Sequence, residues 1–108
     1  MGNTQNTFGL NNFKTLKETS KAVEFKNIVN DEVIYLLPNK EITIVLNPKT
    51  VEENEELKEK STGLRHSTAF LEFPKRKHTG NDSVSYGYAY KFQSDDELDV
   101  FLRELYNR

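Results

Sequence analysis

The chain has no cysteine and no tryptophan among its 108 residues, and only three prolines and five glycines. Without cysteine there are no disulfides, no thiolate nucleophile and no cysteine-based zinc site. Apolar residues are also scarce, at 35% against about 45–50% in average globular chains. So lean a core argues against a deep enzyme pocket and against several domains. No apolar run approaches the roughly 20 residues of a membrane span, and the N-terminus lacks the charged and apolar regions of a secretory signal. Met1-Gly2 opens like a myristoylation signal, but Asn6 stands where Ser or Thr is needed. The expected compartment is the cytoplasm. With 15 basic and 17 acidic residues the net charge is −2, so the whole molecule exerts no general attraction on nucleic acid or membrane.

The remaining residues predict a fold. Residues 1–20 are polar, with Phe8, Leu10, Phe13 and Leu16 scattered through them. They read as a partly ordered segment in which Phe8–Leu16 lies over the core, ahead of a single globular domain over residues 21–108. Lys21–Val29 alternates as a half-buried strand. VIYLL at Val33–Leu37 and EITIVL at Glu41–Leu46 flank Pro38-Asn39-Lys40 and read as a hairpin near the middle of a sheet. Thr50 and Glu53 match a capping box opening a short acidic helix. Ser67–Phe73 alternates as a strand, Pro74–Asp82 is a polar connection, and Val84–Gln93 is the longest strand. Ser94–Glu97 forms a second capping box. Leu98, Phe101, Leu102, Leu105 and Tyr106 then mark one face of a C-terminal amphipathic helix. That helix is expected to pack on the sheet with Ile42, Ile44 and Leu46. The expected class is α+β, mainly β: a curled, mostly antiparallel sheet or small open barrel with a short acidic helix and a C-terminal helix.

Charge is unevenly distributed. Both predicted helices are acidic. Residues 61–93 between them carry Arg65, Lys75, Arg76, Lys77 and Lys91 against only Glu72 and Asp82. A local basic face can attract phosphate on an acidic protein. Lys75-Arg76-Lys77-His78 is the densest cluster. It can grip phosphate, or it can be a soluble turn whose charges keep a sheet edge from aggregating. Tyr86, Tyr88, Tyr90 and Phe92 share one face of the long strand. Such a stripe can stack unpaired bases, but aromatic ladders more often fill a core. Here the core reading carries more weight, with one or two hydroxyls reaching the rim. Gly87 suggests a bulge or bend where a barrel closes.

His66 and His78 are the only histidines. As an acid–base pair they could cleave RNA, but opposite ends of an extended unit separate them by over about 20 Å, and two surface histidines is the simpler reading. No metal or cofactor motif is present: GxGxxG, Walker A, HExxH and EF-hand patterns are all missing.

The run VIYLLPNKEITIVLNPKTVEENEEL, with FPKRKHTGNDSVSYGYAYKF and the closing helix, resembles the small PrgU-type proteins of Gram-positive conjugative plasmids over most of residues 21–108. The resemblance implies a PUA-like β-barrel and RNA-level control of conjugation-gene expression. The expected function is therefore a non-catalytic RNA-binding regulator. Arg65, Lys75, Arg76, Lys77 and Lys91 would hold phosphates, and His78, Tyr86, Tyr88 and Tyr90 would contact bases. The alternatives are a protein-interaction module binding through a sheet edge or its acidic helices, and a small RNA-cleaving enzyme.

Overall fold

A computed structural model describes residues 2–77 and 83–106. In chain order the elements are α1 (Gly2–Leu10), β1 (Phe13–Glu18), β2 (Val23–Asn27), β3 (Val33–Leu36), β4 (Ile42–Leu46), α2 (Pro48–Glu52), α3 (Glu55–Lys60), β5 (Gly63–His66), β6 (Lys75–Lys77), β7 (Ser83–Phe92) and α4 (Asp95–Tyr106). The strands form one antiparallel sheet in the order β1-β2-β3-β4-β7-β5, with β6 also paired to β7. The sheet stays open. Among the described residues β1 pairs only with β2, and β5 only with β7. The α+β class and antiparallel pairing agree with the sequence, but no barrel closes.

β4 and β6 share one edge of β7. Ser85 and Ala89 accept backbone hydrogen bonds from Ser67 and Thr62 beside β5, whereas the Tyr86 N–H donates to the Pro74 carbonyl. Successive residues of a strand direct these groups to opposite edges. β4 therefore holds the C-terminal half of that edge, at Tyr88–Phe92, and β6 holds the start, at Ser83–Ser85.

Both sheet faces are covered, which explains why VIYLL is apolar throughout. Ile34, Ile44 and Leu46 face the helices and pack with Phe8, Phe25, Leu98 and Leu102. Ile42, Phe101 and Leu105 pack on the margin of the same core, so α4 docks as its spacing predicts. Val33, Tyr35 and Val45 face the other way and meet Phe70 and Phe73.

The second cover is not the predicted strand. Ser67–Phe73 forms successive turns, with the Phe70 N–H donating to the Ser67 carbonyl and the Phe73 N–H to the Phe70 carbonyl. Turning the chain every three residues sends Phe70 and Phe73 inward together, whereas alternation would have split them across two faces.

The acidic helix is two helices. Asn47 accepts from the Lys49 N–H and caps α2, and Asn54 accepts from the Leu57 N–H and caps α3. The Thr50–Glu53 box does not form: the Thr50 hydroxyl donates to Glu32, and Glu53 is the C-cap of α2. The Ser94 box does cap α4, its hydroxyl accepting from the Glu97 N–H while Glu97 accepts from the Gln93 N–H.

The segment from Phe8 onward lies against the core. Phe8 is fully buried and stacks on Phe25 at 4.1 Å, and Phe13 meets Phe8 edge-on at 5.5 Å. α1 and β1 belong to the common core.

Candidate nucleic-acid interface

The aromatic stripe of β7 runs from core to surface. Tyr90 is 3% exposed, and its hydroxyl donates to the Leu57 carbonyl at 2.6 Å. Burial pushes its phenol well above the usual range near 10. It is unavailable to a base, which corrects its place in the expected site. Tyr88 is half-buried, and its hydroxyl donates to Glu52 on α2 at 3.1 Å. Burial and the Glu52 bond raise its pKa, while the Arg76 charge pulls the other way. Tyr86 stands beyond both cores. The His66 ring lies beside it at 6.0 Å and 25°, and the Arg76 guanidinium sits over it at 5.3 Å.

Strand register explains this grouping. His66 on β5 pairs with Tyr86, and Arg76 on β6 pairs with Val84, so all share the face that carries the stripe. Among the described residues α2, α3 and α4 cover that face around Tyr88 and Tyr90, and it is half-exposed at Tyr86 and exposed at Ser83. The result is a half-exposed shelf of one phenol, one imidazole and one guanidinium.

The remaining predicted cations do not converge on it. Lys75 is exposed, but it pairs with Ser85 and alternates to the opposite face from Arg76. Arg65 is exposed and pairs with Gly87, again on that opposite face. The backbone of Lys77 pairs with Ser83. Lys91 lies about 20 Å along β7 from Ser85 and bonds Glu41 at 3.9 Å, so it is removed from the shelf. His78 lies outside the described residues. A run of consecutive basic residues in a strand is divided between two faces, and the clustering in sequence hides that division.

His66 is the shelf residue that the sequence reading did not assign to base contact. Its signal was available, because an antiparallel neighbour of β7 had to place one side chain beside each tyrosine. Gly87 marks neither a bulge nor a closing bend. The β5–β7 register runs unbroken through it, and a Cβ at this position would run into Val45, Leu46 and Phe73.

Among the described residues no group of three His, Asp or Glu is placed to hold a metal, and no helix is long and apolar enough to cross a membrane. Fold and site define an open antiparallel α+β protein, helical on one face, with a cationic aromatic shelf beyond the helices. No family model, curated protein or solved structure matches the chain.

Proposed function

We propose that this protein is a non-catalytic RNA-binding regulator that takes single-stranded RNA on the Tyr86 shelf. The carrying observation is the Arg76–Tyr86–His66 group, half-exposed at the open end of the sheet. Aromatic and guanidinium planes stack unpaired bases, each stack worth about 1–3 kcal/mol. Tyr88 offers the rim of the same face. Arg76 supplies charge for an adjoining phosphate, and the exposed Lys75 and Arg65, on the opposite face, can take a strand that passes around the sheet edge. The resemblance to PrgU-type proteins would make the bound RNA a conjugation-gene transcript in the cytoplasm.

Fluorescence anisotropy with labelled single-stranded RNA at two salt concentrations tests this. The double variant R76A/Y86A should bind about tenfold or more weakly. Replacing Lys75, Arg76 and Lys77 together with Ala should flatten the salt dependence. Wild-type protein that binds no RNA at either concentration overturns the reading.

The open outer edge of β5, with Leu64 38% exposed on it, supports a second reading, strand addition by a protein partner. In that case the R76A/Y86A change leaves partner binding intact. Cleavage is separated on the same RNA by gel: a product lost in H66A with folding retained would make the protein an enzyme.

A further inference from the structure

On the sheet face away from the helices, a cavity of about 230 Å³ opens between the β1–β2 hairpin and the 67–74 segment. At its base lies a charged side chain in an unusual position. Glu24 is only 8% exposed, and among the described residues its carboxylate receives one hydrogen bond, from the Tyr35 hydroxyl at 2.9 Å, and forms no ion pair. A buried carboxylate is costly unless cations or several donors satisfy it. The Tyr35 hydroxyl is itself held by the Glu72 N–H at 3.0 Å, so this polar pair is fixed in place.

The rim carries the opposite charge. A register shift between Thr15 and Lys17 makes Lys17, rather than Leu16, the residue opposite Glu24. Leu16 is left 44% exposed. Bulges re-aim side chains in this way, often beside binding sites. Lys21 reaches across the mouth, its ammonium donating to the Thr68 hydroxyl at 3.2 Å. Ala22 and Ala69 keep the walls small and apolar.

We infer that this hollow binds a small zwitterion, an α-amino acid with a compact apolar side chain. Its ammonium sits on the Glu24 carboxylate, its carboxylate meets Lys17 and Lys21, and its side chain lies between Ala22 and Ala69. The buried anion below and the two ammonium groups above match the two ends of such a molecule, and neither a plain amine nor a plain acid satisfies both. A ligand placed there ties the 67–74 segment to the β1–β2 hairpin. The site is independent of the Tyr86 shelf.

The test is an NMR titration of the full-length ¹⁵N-labelled protein with L-valine, isobutylamine and isovalerate. L-valine should shift the Ala22 and Ala69 amide signals saturably in the millimolar range, and each half-ligand should bind about tenfold or more weakly. E24Q should lose L-valine binding by a similar factor while its circular dichroism is unchanged. K17A/K21A, altering exposed residues only, should abolish the preference for L-valine over isobutylamine, and it decides the matter if E24Q does not fold. The assignment is overturned if L-valine produces no saturable shift, as when a lysine simply closes on Glu24. Unchanged L-valine binding in a folded variant of either kind overturns it as well.

Discussion

Gly87 shows how one missing side chain lets a sheet be covered on both faces. A Cβ built there would stand 2.5 Å from Val45 Cγ1, 2.6 Å from the Leu46 carbonyl oxygen and 3.0 Å from Phe73 Cδ2. The Leu46 carbonyl belongs to the central strand β4 and cannot swing aside as a side-chain tip could. Relief of Gly87→Ala therefore requires strand displacement, at a cost of about 1–3 kcal/mol. Urea denaturation should show a lower midpoint with an unchanged slope. An unchanged midpoint would mean that Phe73 and Val45 are not seated against β7. The same position shows the limit of sequence reading at this scale. A glycine in a strand signals either a bulge or a close approach, and only the neighbours distinguish them.

At the scale of elements, a polar contact from Asn11, just after α1, ties that helix to α4. Asn11 is buried, and its side-chain amide donates to the Thr7 carbonyl and to Asp99 Oδ1, each at 2.9 Å. The Asn11 bond holds the Asp99 pKa below the usual carboxylate value, and the Arg103 guanidinium, which also bonds Asp99, lowers it further. A carboxylate whose pKa is depressed by folding contributes stability above its unfolded pKa, near about 4, and loses it as pH falls through the folded value. Asp99→Asn removes that titration. Its stability should fall less steeply than the wild type's between about pH 5 and pH 3. Superimposable acid limbs in thermal unfolding would show that the contact does not couple to folding.

The elements that sequence reveals well are those whose local signals agree. In α4 the cap, the acidic first turn and the apolar spacing all point to a helix, and its docking followed from them. In residues 48–60 the signals conflict, because Asn47, Thr50 and Asn54 can each cap, and side-chain partners elsewhere decide. Glu32 engages the Thr50 hydroxyl, which leaves the two asparagines to cap two short helices. Ser67–Phe73 misleads for a related reason. Ala69, Leu71 and Phe73 alternate, but Leu71 is 62% exposed while Phe70 is buried, and the true spacing of the inward residues is three.

At the scale of the whole molecule, the antiparallel α+β plan was legible and the arrangement of the site was legible only in part. The tyrosine stripe could be read from alternation, yet where burial ends along it depends on how far the helices reach. Residues 1–20 are polar on average, and their apolar contribution to the core is carried mainly by Phe8 and Phe13. Phe8 stacks between Phe25 and the ring edge of Phe13, and Phe13 also meets Tyr106 of α4 at 5.4 Å. Removing residues 1–20 deletes both phenylalanines, strips β2 of its outer partner and uncovers Phe25. Truncating one buried Phe costs about 3–5 kcal/mol, and a domain of this size has only about 5–15 kcal/mol in total. A fragment of residues 21–108 should therefore lose cooperative thermal unfolding and amide dispersion, whereas F8A in the full chain should still fold with a lower melting temperature. A fragment that melts cooperatively and keeps the full chain's amide shifts for β3, β4 and β7 would show instead that α1 and β1 pack on a core able to stand without them.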